Sequence, residues 1–442
     1  MEKLGIPAVV VTTSGFTKLA QLAGKANGVG NLATAEYPGP IGIHGPDDIA
    51  QNVENVLVNR IVEGLTRDVP LGRDAQISKV GSVPSVVFAG TSEAVNRYFG
   101  EQGWSEGLPI VAPTVERIEV FLKFTSRSAF EPIASLLPEN LTATPWNIAA
   151  NGVMAGCTPE MMPLLIAIAE ALGDPRCGLN MIGTSSGLIP FCFVNGPAVA
   201  RLGVASGPYL VSMGANPVLG RALSLMIRNL AGFRPGLNYM GTFGYPQGFA
   251  FGEFESESPW EPFHVEHGYD AEASTVTIGV TNNWGPSPGA ASTDDLGGAD
   301  TALELISREI KKKVRLYNYP GIGPEAEHVM ITVLITPTVA KILAEAGYSK
   351  HDVKRHLHEN TTMSLRNFDW ILRHQSIMRT TVRAQVEAGV YPSDFLGGPE
   401  DRVRILAGPD ILHIVVCGDP NRNRVMVLEG AHTRPTTKQV RD

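Results

Sequence analysis

The densest run of acid–base side chains in this 442-residue sequence lies between Glu253 and His267, where five carboxylates and two imidazoles fall within fifteen residues. Pro259 and Pro262 argue against a helix there. Phe263 to His267 is therefore predicted to be extended, and strand alternation puts His264 and Glu266 on one face. An imidazole beside a carboxylate can act as an oriented general base, or it can join Glu255 or Glu257 in holding a divalent metal. The plainer reading is a solvated acidic loop ending in an edge strand. Against it, clustered carboxylates repel and need a proton or cation to relieve them.

Cys157 stands in Gly156-Cys157-Thr158-Pro159-Glu160, directly before a helix expected over 159–172. A thiol at a helix N-terminus is acidified by the macrodipole, which makes Cys157 the candidate nucleophile or redox thiol. Glu160 competes for the same positive end, and the alternative is a small residue packed where backbones approach closely. Cys192 and Cys417 read as core residues of strands. With no C-x-x-C pair, the four cysteines suggest neither a zinc knuckle nor a disulfide framework.

Thr158-Pro159, Asn195-Gly196-Pro197 and Asn216-Pro217 share a cap-then-proline grammar, so each is expected to open a helix whose free N–H groups are either simply capped or hold an anion. Arg221, in the first turn after Asn216-Pro217, either takes a substrate carboxylate bidentately or forms an ion pair. The histidines of 351–359 do not converge, because neither His356 nor His358 is three or four residues from His351; a solvated helix is expected. Asp369, His374 and Arg366, Arg373, Arg379 and Arg383 read as the charged face of one long helix over 364–388, at a subunit contact.

The elements that must position these groups alternate. Strands are expected at 188–194, 275–280, 329–335 and 411–416, and helices at 159–172, 217–231, 301–313 and 337–346. That alternation predicts an α/β protein of mixed layers of helices and short sheets. The chain is longer than the roughly 250 to 300 residues one core serves, and it divides as 1–65, 66–300 and 301–442. The first segment has a strand at Ile6 to Thr12, a helix opened by Ser14 and a second helix from Pro46 to Leu65. One strand cannot form a sheet, so this small α/β unit is incomplete and must borrow strands.

A net charge of -8 offers no footprint for nucleic acid. No stretch reaches the roughly 18 apolar residues of a membrane span, and the N-terminus lacks a signal-peptide pattern, so the expected location is the cytoplasm. Neither a G-x-G-x-x-G after a strand nor a G-x-x-x-x-G-K-[ST] is present, so there is no NAD or ATP motif.

The stretches 103–111, 153–160, 194–197, 220–223 and 258–266, with the segment from the first strand to Tyr37-Pro38-Gly39-Pro40, together resemble the UGSC-motif (seleno)protein family, named for a Sec/Cys-Gly-Ser-Cys motif. Cys157, Asn195, Arg221, Trp260, His264 and Glu266 fall on its recurring motifs. In that family the redox motif precedes the strand matched here by Ile6 to Thr12, and this sequence contains no Cys-Gly-Ser-Cys. The resemblance thus implies a separate small subunit that supplies the missing strands and thiols. The expected function is a subunit of a heteromeric enzyme acting on a small carboxylate-bearing substrate, with thiol-dependent redox chemistry. Its catalytic groups would be Cys157, His264 and Glu266, and its substrate-binding groups Asn195, Asn216, Arg221 and Trp260. Two alternatives stand beside it: a metal-dependent lyase or hydrolase with His264, Glu266 and Glu257 as ligands, and a non-catalytic scaffold for a small redox partner.

Overall fold

The computed structural model describes residues 1–68, 86–184, 187–242, 247–281, 284–285, 287–289, 298–313, 330–374, 380–430 and 434–441. The expected mixed α/β architecture is what it shows. Residues 69–85, just beyond the expected division after residue 65, lie outside the described residues.

The N-terminal unit is built from β1 (Val9–Thr13), α1 (Thr17–Ala26), β2 (Ala33–Tyr37), α2 (Pro46–Asn52) and α3 (Val58–Thr66), the last two joined by one π-helical stretch, Val53–Leu57. Reading a single strand here is corrected: β1 and β2 pair in parallel, Val9 opposite Ala33 through Thr13 opposite Tyr37. Ala33-Thr34-Ala35-Glu36-Tyr37 carries little strand signal of its own, being short and barely apolar. Ser14 does not cap α1 either. The cap position is Phe16, and the Ser14 hydroxyl accepts instead from the Gly39 N–H at 2.8 Å. Among the described residues β1 pairs only with β2, which leaves its other edge open, with Val10 38% and Val11 53% exposed.

The central part contains α4 (Ser92–Glu101), α5 (Val115–Leu122), β3 (Ala134–Leu136), β4 (Leu141–Ala143), α6 (Pro145–Ala155), α7 (Met162–Gly173), β5 (Ile189–Asn195), α8 (Ala198–Arg201), α9 (Asn216–Leu230), β6 (Phe249–Gly252), the one-turn helix α10 (Phe263–Glu266) and β7 (Thr275–Thr281). The C-terminal part adds α11 (Gly298–Lys313), β8 (Met330–Ile335), α12 (Pro337–Glu345), α13 (Lys350–Asn360), β9 (Thr362–Ser364), α14 (Leu365–His374), α15 (Val382–Glu387), β10 (Arg402–Arg404), β11 (Leu412–Val416), β12 (Val425–Gly430) and β13 (Thr436–Gln439). The single helix expected over 364–388 is two elements, because Thr381 opens α15 with its own side-chain cap; Arg379 lies outside the described residues.

Two sheets dominate. One has the order β13-β7-β5-β6, with β5 and β6 parallel; the other has the order β11-β8-β12, with β8 and β11 parallel. β13 comes from the chain's last residues and returns to the central sheet, where Lys438 holds Asp174 at 2.8 Å. Strand alternation explains how the sheets meet. Cys192 and Val194 of β5 enter the helix-covered core, whereas Phe191 and Phe193 join Phe251, Phe263, Leu334, Val415, Cys417 and Leu428 in an apolar layer between the sheets.

Candidate functional site

The parallel strands β5 and β6 end side by side, Val194 opposite Gly252. Loops beyond the carboxyl ends of parallel strands are where open α/β sheets place ligands. Asn195 is the last residue of β5, and Glu253 and Glu255 follow β6 directly. Asn195 Nδ2 donates to Glu253 Oε2 at 2.5 Å and to Glu255 Oε1 at 3.0 Å. Gly196 then turns at φ +77, where a Cβ would lie 2.2 Å from the Ala273 carbonyl oxygen. That turn lets its N–H reach Glu255 Oε1 at 2.7 Å.

His264 closes the group from the inter-sheet side. The predicted extended conformation of 263–267 is corrected, since these residues form α10 with Pro262 as its cap. Proline ahead of a first helical turn removes no hydrogen bond, so the two prolines were no barrier. In a helix His264 and Glu266 no longer share a face. His264 is completely buried, its Nδ1 is 3.6 Å from Glu255 Oε1, and its Nε2 lies 3.4 Å from the Ala271 carbonyl oxygen. Its carboxylate neighbour is thus Glu255, in place of the expected Glu266.

Glu266 turns instead toward the C-terminal part. It pairs with Lys354, and its second oxygen is 3.5 Å from Lys350 Nζ, which is itself 3.6 Å from Glu253 Oε1. Both lysines lie on α13, the helix read as solvated. Lys350, Val353, Lys354 and Leu357 form one buried face of it, and their i, i+3, i+4, i+7 spacing was the signal that could have found them. Burial pushes the Glu253 carboxyl above the usual range, with Lys350, the Phe263 N–H and Asn195 opposing that shift only in part. Burial acts on Glu266 in the same direction, but Lys354 and Lys350 outweigh it and hold the carboxyl below its usual range. His267 stacks on Phe263, and His413 of β11 lies beside both rings. Burial lowers the pKa of His267 and, further, that of His413.

The remaining candidates are placed elsewhere or fully engaged. Arg221 Nε donates to Glu106 Oε1 at 2.7 Å, and Gln247 donates to the same oxygen at 3.1 Å, so the guanidinium anchors the 103–114 loop as an ion pair. Its neighbour Gly220 packs on Gly248 and Phe249, at the opposite end of β6 from Glu253. Cys157 also faces α9, with Sγ 3.7 Å from the Val218 carbonyl oxygen, and burial pushes its thiol up to about 12. Cys157 and Arg221 thus lie at α9, while His264 sits beyond the carboxyl ends of β5 and β6, so these three candidates do not gather at one site. Asn216 is the first residue of α9, with no capping role. Its amide binds Ala205 and Leu210 carbonyls and the Ala205 N–H, which fixes the preceding loop. Trp260 packs against the C-terminal core and donates Nε1 to the Tyr348 carbonyl at 2.9 Å. Glu257 pairs with Lys341 at 2.5 Å, so His264, Glu266 and Glu257 do not meet as a ligand set, and among the described residues no three His, Cys, Asp or Glu side chains are grouped to hold a metal ion.

What distinguishes the β5/β6 site is unmet hydrogen-bonding capacity. Asn195 Oδ1, Glu253 Oε1, His264 Nδ1, Glu266 Oε2 and Lys350 Nζ are buried and have no hydrogen-bond partner among the described residues, as have both ring nitrogens of His413. Buried polar atoms are nearly always paired, so a cluster of them marks a place built for something else. Residues 1–67 match the model of the UGSC family. This chain is similar to that family over its N-terminal unit. The UGSC match does not extend to the motifs of 103–266, and the rest of the chain has no family match. No curated protein and no solved structure matches the chain. No helix among the described residues is long and apolar enough to cross a membrane.

Proposed function

We propose that the chain is a subunit of a heteromeric enzyme that moves a proton on a small carboxylate-bearing substrate, with Nδ1 of His264 as the acid–base group. The observation that carries this is the buried Nδ1 without a hydrogen bond, 3.6 Å from Glu255 Oε1, beside an Asn195 Oδ1 that also has none and a Lys350 that meets Glu253 and Glu266 only at ion-pair distances of 3.6 and 3.5 Å. Glu255 stabilises the imidazolium when the ring takes a proton, and Asn195 and the Gly196 N–H hold that carboxylate in place. Lys350 Nζ is the cation offered to the substrate carboxylate. Glu255 and Glu266, each about a quarter exposed, are the side chains of the cluster that reach solvent most. Chemistry at thiols falls to a partner, because the Cys157 thiol, pushed up to about 12 by burial, is almost wholly protonated near neutral pH. The open edge and exposed valines of β1 suit a strand supplied by that partner, since a two-stranded parallel sheet is marginal alone. Four free cysteines fit a reducing compartment, the cytoplasm.

The test compares wild type and His264→Gln, each purified with its co-eluting proteins, on a mixture of small carboxylates followed by mass spectrometry. The variant should consume the affected compound about 100-fold or more slowly while keeping its melting temperature. Equal consumption by both proteins refutes the assignment of His264. Val11→Lys on the β1 edge should abolish co-elution of the small partner; unchanged co-elution removes the edge as its docking place.

A further inference from the structure

We infer that a cleft between the N-terminal unit and the loop carrying Leu237 binds a small organic phosphate. The cleft has a volume of about 680 Å³, within the range of ligand sites. Among the described residues its walls carry Lys18, Lys25 and Arg67 and no carboxylate, on a protein whose net charge is -8. Lys18, Gln21, Leu22 and Lys25 fall at i, i+3, i+4 and i+7, so one face of α1 supplies both lysines together with an apolar side chain.

The third cation is fixed in advance. Glu2 is buried and accepts from the Ala8 N–H at 3.0 Å, and both of its oxygens accept from one Arg67 terminal nitrogen at 2.9 Å. With the Arg67 charge met by Glu2, the two flexible lysine stems supply the cleft's net positive charge for a phosphate dianion. Leu22, Leu32 and Leu237 form an apolar floor, so the ligand carries an organic body next to its phosphate. Asn140 donates to the Ala26 carbonyl at 3.0 Å and ties the end of α1 to the central part, so the two walls are held in register. The inference depends neither on the role of His264 nor on a protein partner.

The experiment is calorimetric titration of the full chain with phenyl phosphate, with inorganic phosphate and benzoate as parallel arms. Phenyl phosphate should bind saturably and more tightly than either, and weaken as salt is raised. Lys18→Gln/Lys25→Gln should weaken it about tenfold, with an unchanged melting temperature because both lysines are exposed. Leu237→Ala should bring phenyl phosphate down to the affinity of inorganic phosphate. Absence of saturable binding, binding unaffected in the double variant, or benzoate binding as tightly as phenyl phosphate each overturns the inference.

Discussion

Lys350→Met tests whether the charge network at the β5/β6 site is held together as the geometry implies. Met keeps the length and apolar stem of lysine but deletes the only cation next to Glu253 among the described residues. At 3.6 Å, and with an effective dielectric near 20, the lost attraction is about 5 kcal/mol. Part of that is offset, because the variant no longer buries an ammonium at a helix N-terminus, where the macrodipole opposes it. Glu266 is little affected, since Lys354 remains its partner. The net loss expected for stranding a buried carboxylate is about 3 kcal/mol.

The pH dependence provides a second signature. The Glu253 carboxyl already sits above its usual range through burial. A carboxyl raised in the folded state contributes its stability fully below the ordinary carboxylate range and loses it as the pH rises through the folded value. Removing Lys350 raises Glu253 further, so the deficit of the variant relative to wild type should be smallest at the acid end of the stable range and grow as the pH rises. Urea unfolding of both proteins, followed by tryptophan fluorescence at the two ends of that range, measures the difference. Adding Glu253→Gln should restore about 2 kcal/mol or more, because the stranded charge is then gone. Equal deficits at both ends, or a double variant as unstable as the sum of the singles, would show that Glu253 and Lys350 are not coupled.

Two further outcomes follow from buried groups away from that site. Native protein treated with iodoacetamide near about pH 8 should leave Cys157 unmodified, because a thiol pushed up to about 12 by burial supplies almost no thiolate; unfolding should expose it to rapid alkylation, and peptide mass mapping reads both states. Arg221→Met should destabilise the protein by about 2 to 3 kcal/mol by leaving Glu106 without its cation, and should make the 103–114 backbone exchange hydrogen faster. Protection of that loop equal to wild type would contradict its anchoring by Arg221.

Much of the scaffold is set by local sequence. β5, β7, β8 and β11 are dominated by β-branched, aromatic and aliphatic residues, as strands covered on both faces are. The acidic run of 253–267 identified itself as chemically unusual by composition alone. β2 and β13 did not, because short strands of small and polar residues exist through their partners: β2 through β1, and β13 through β7 after the elements from α11 to β12 have intervened. The 263–267 segment depended on context in the same way, its one helical turn held by the Phe263 N–H donating to Glu253 at 2.7 Å and by packing between the sheets.

Which charges meet was decided only in three dimensions. The sequence by itself determined an acidic α/β chain and singled out 253–267 as its densest acid–base run, but it paired His264 with Glu266. Tertiary structure gave Arg221 to Glu106, gave Glu266 to Lys354, and drew Lys350 out of a helix that reads as solvated into contact with Glu253. Hydrophobic spacing fixes which face of an element is covered. A buried charge takes as its partner whatever opposite charge the packing of distant elements sets beside it, and no local pattern encodes that distance.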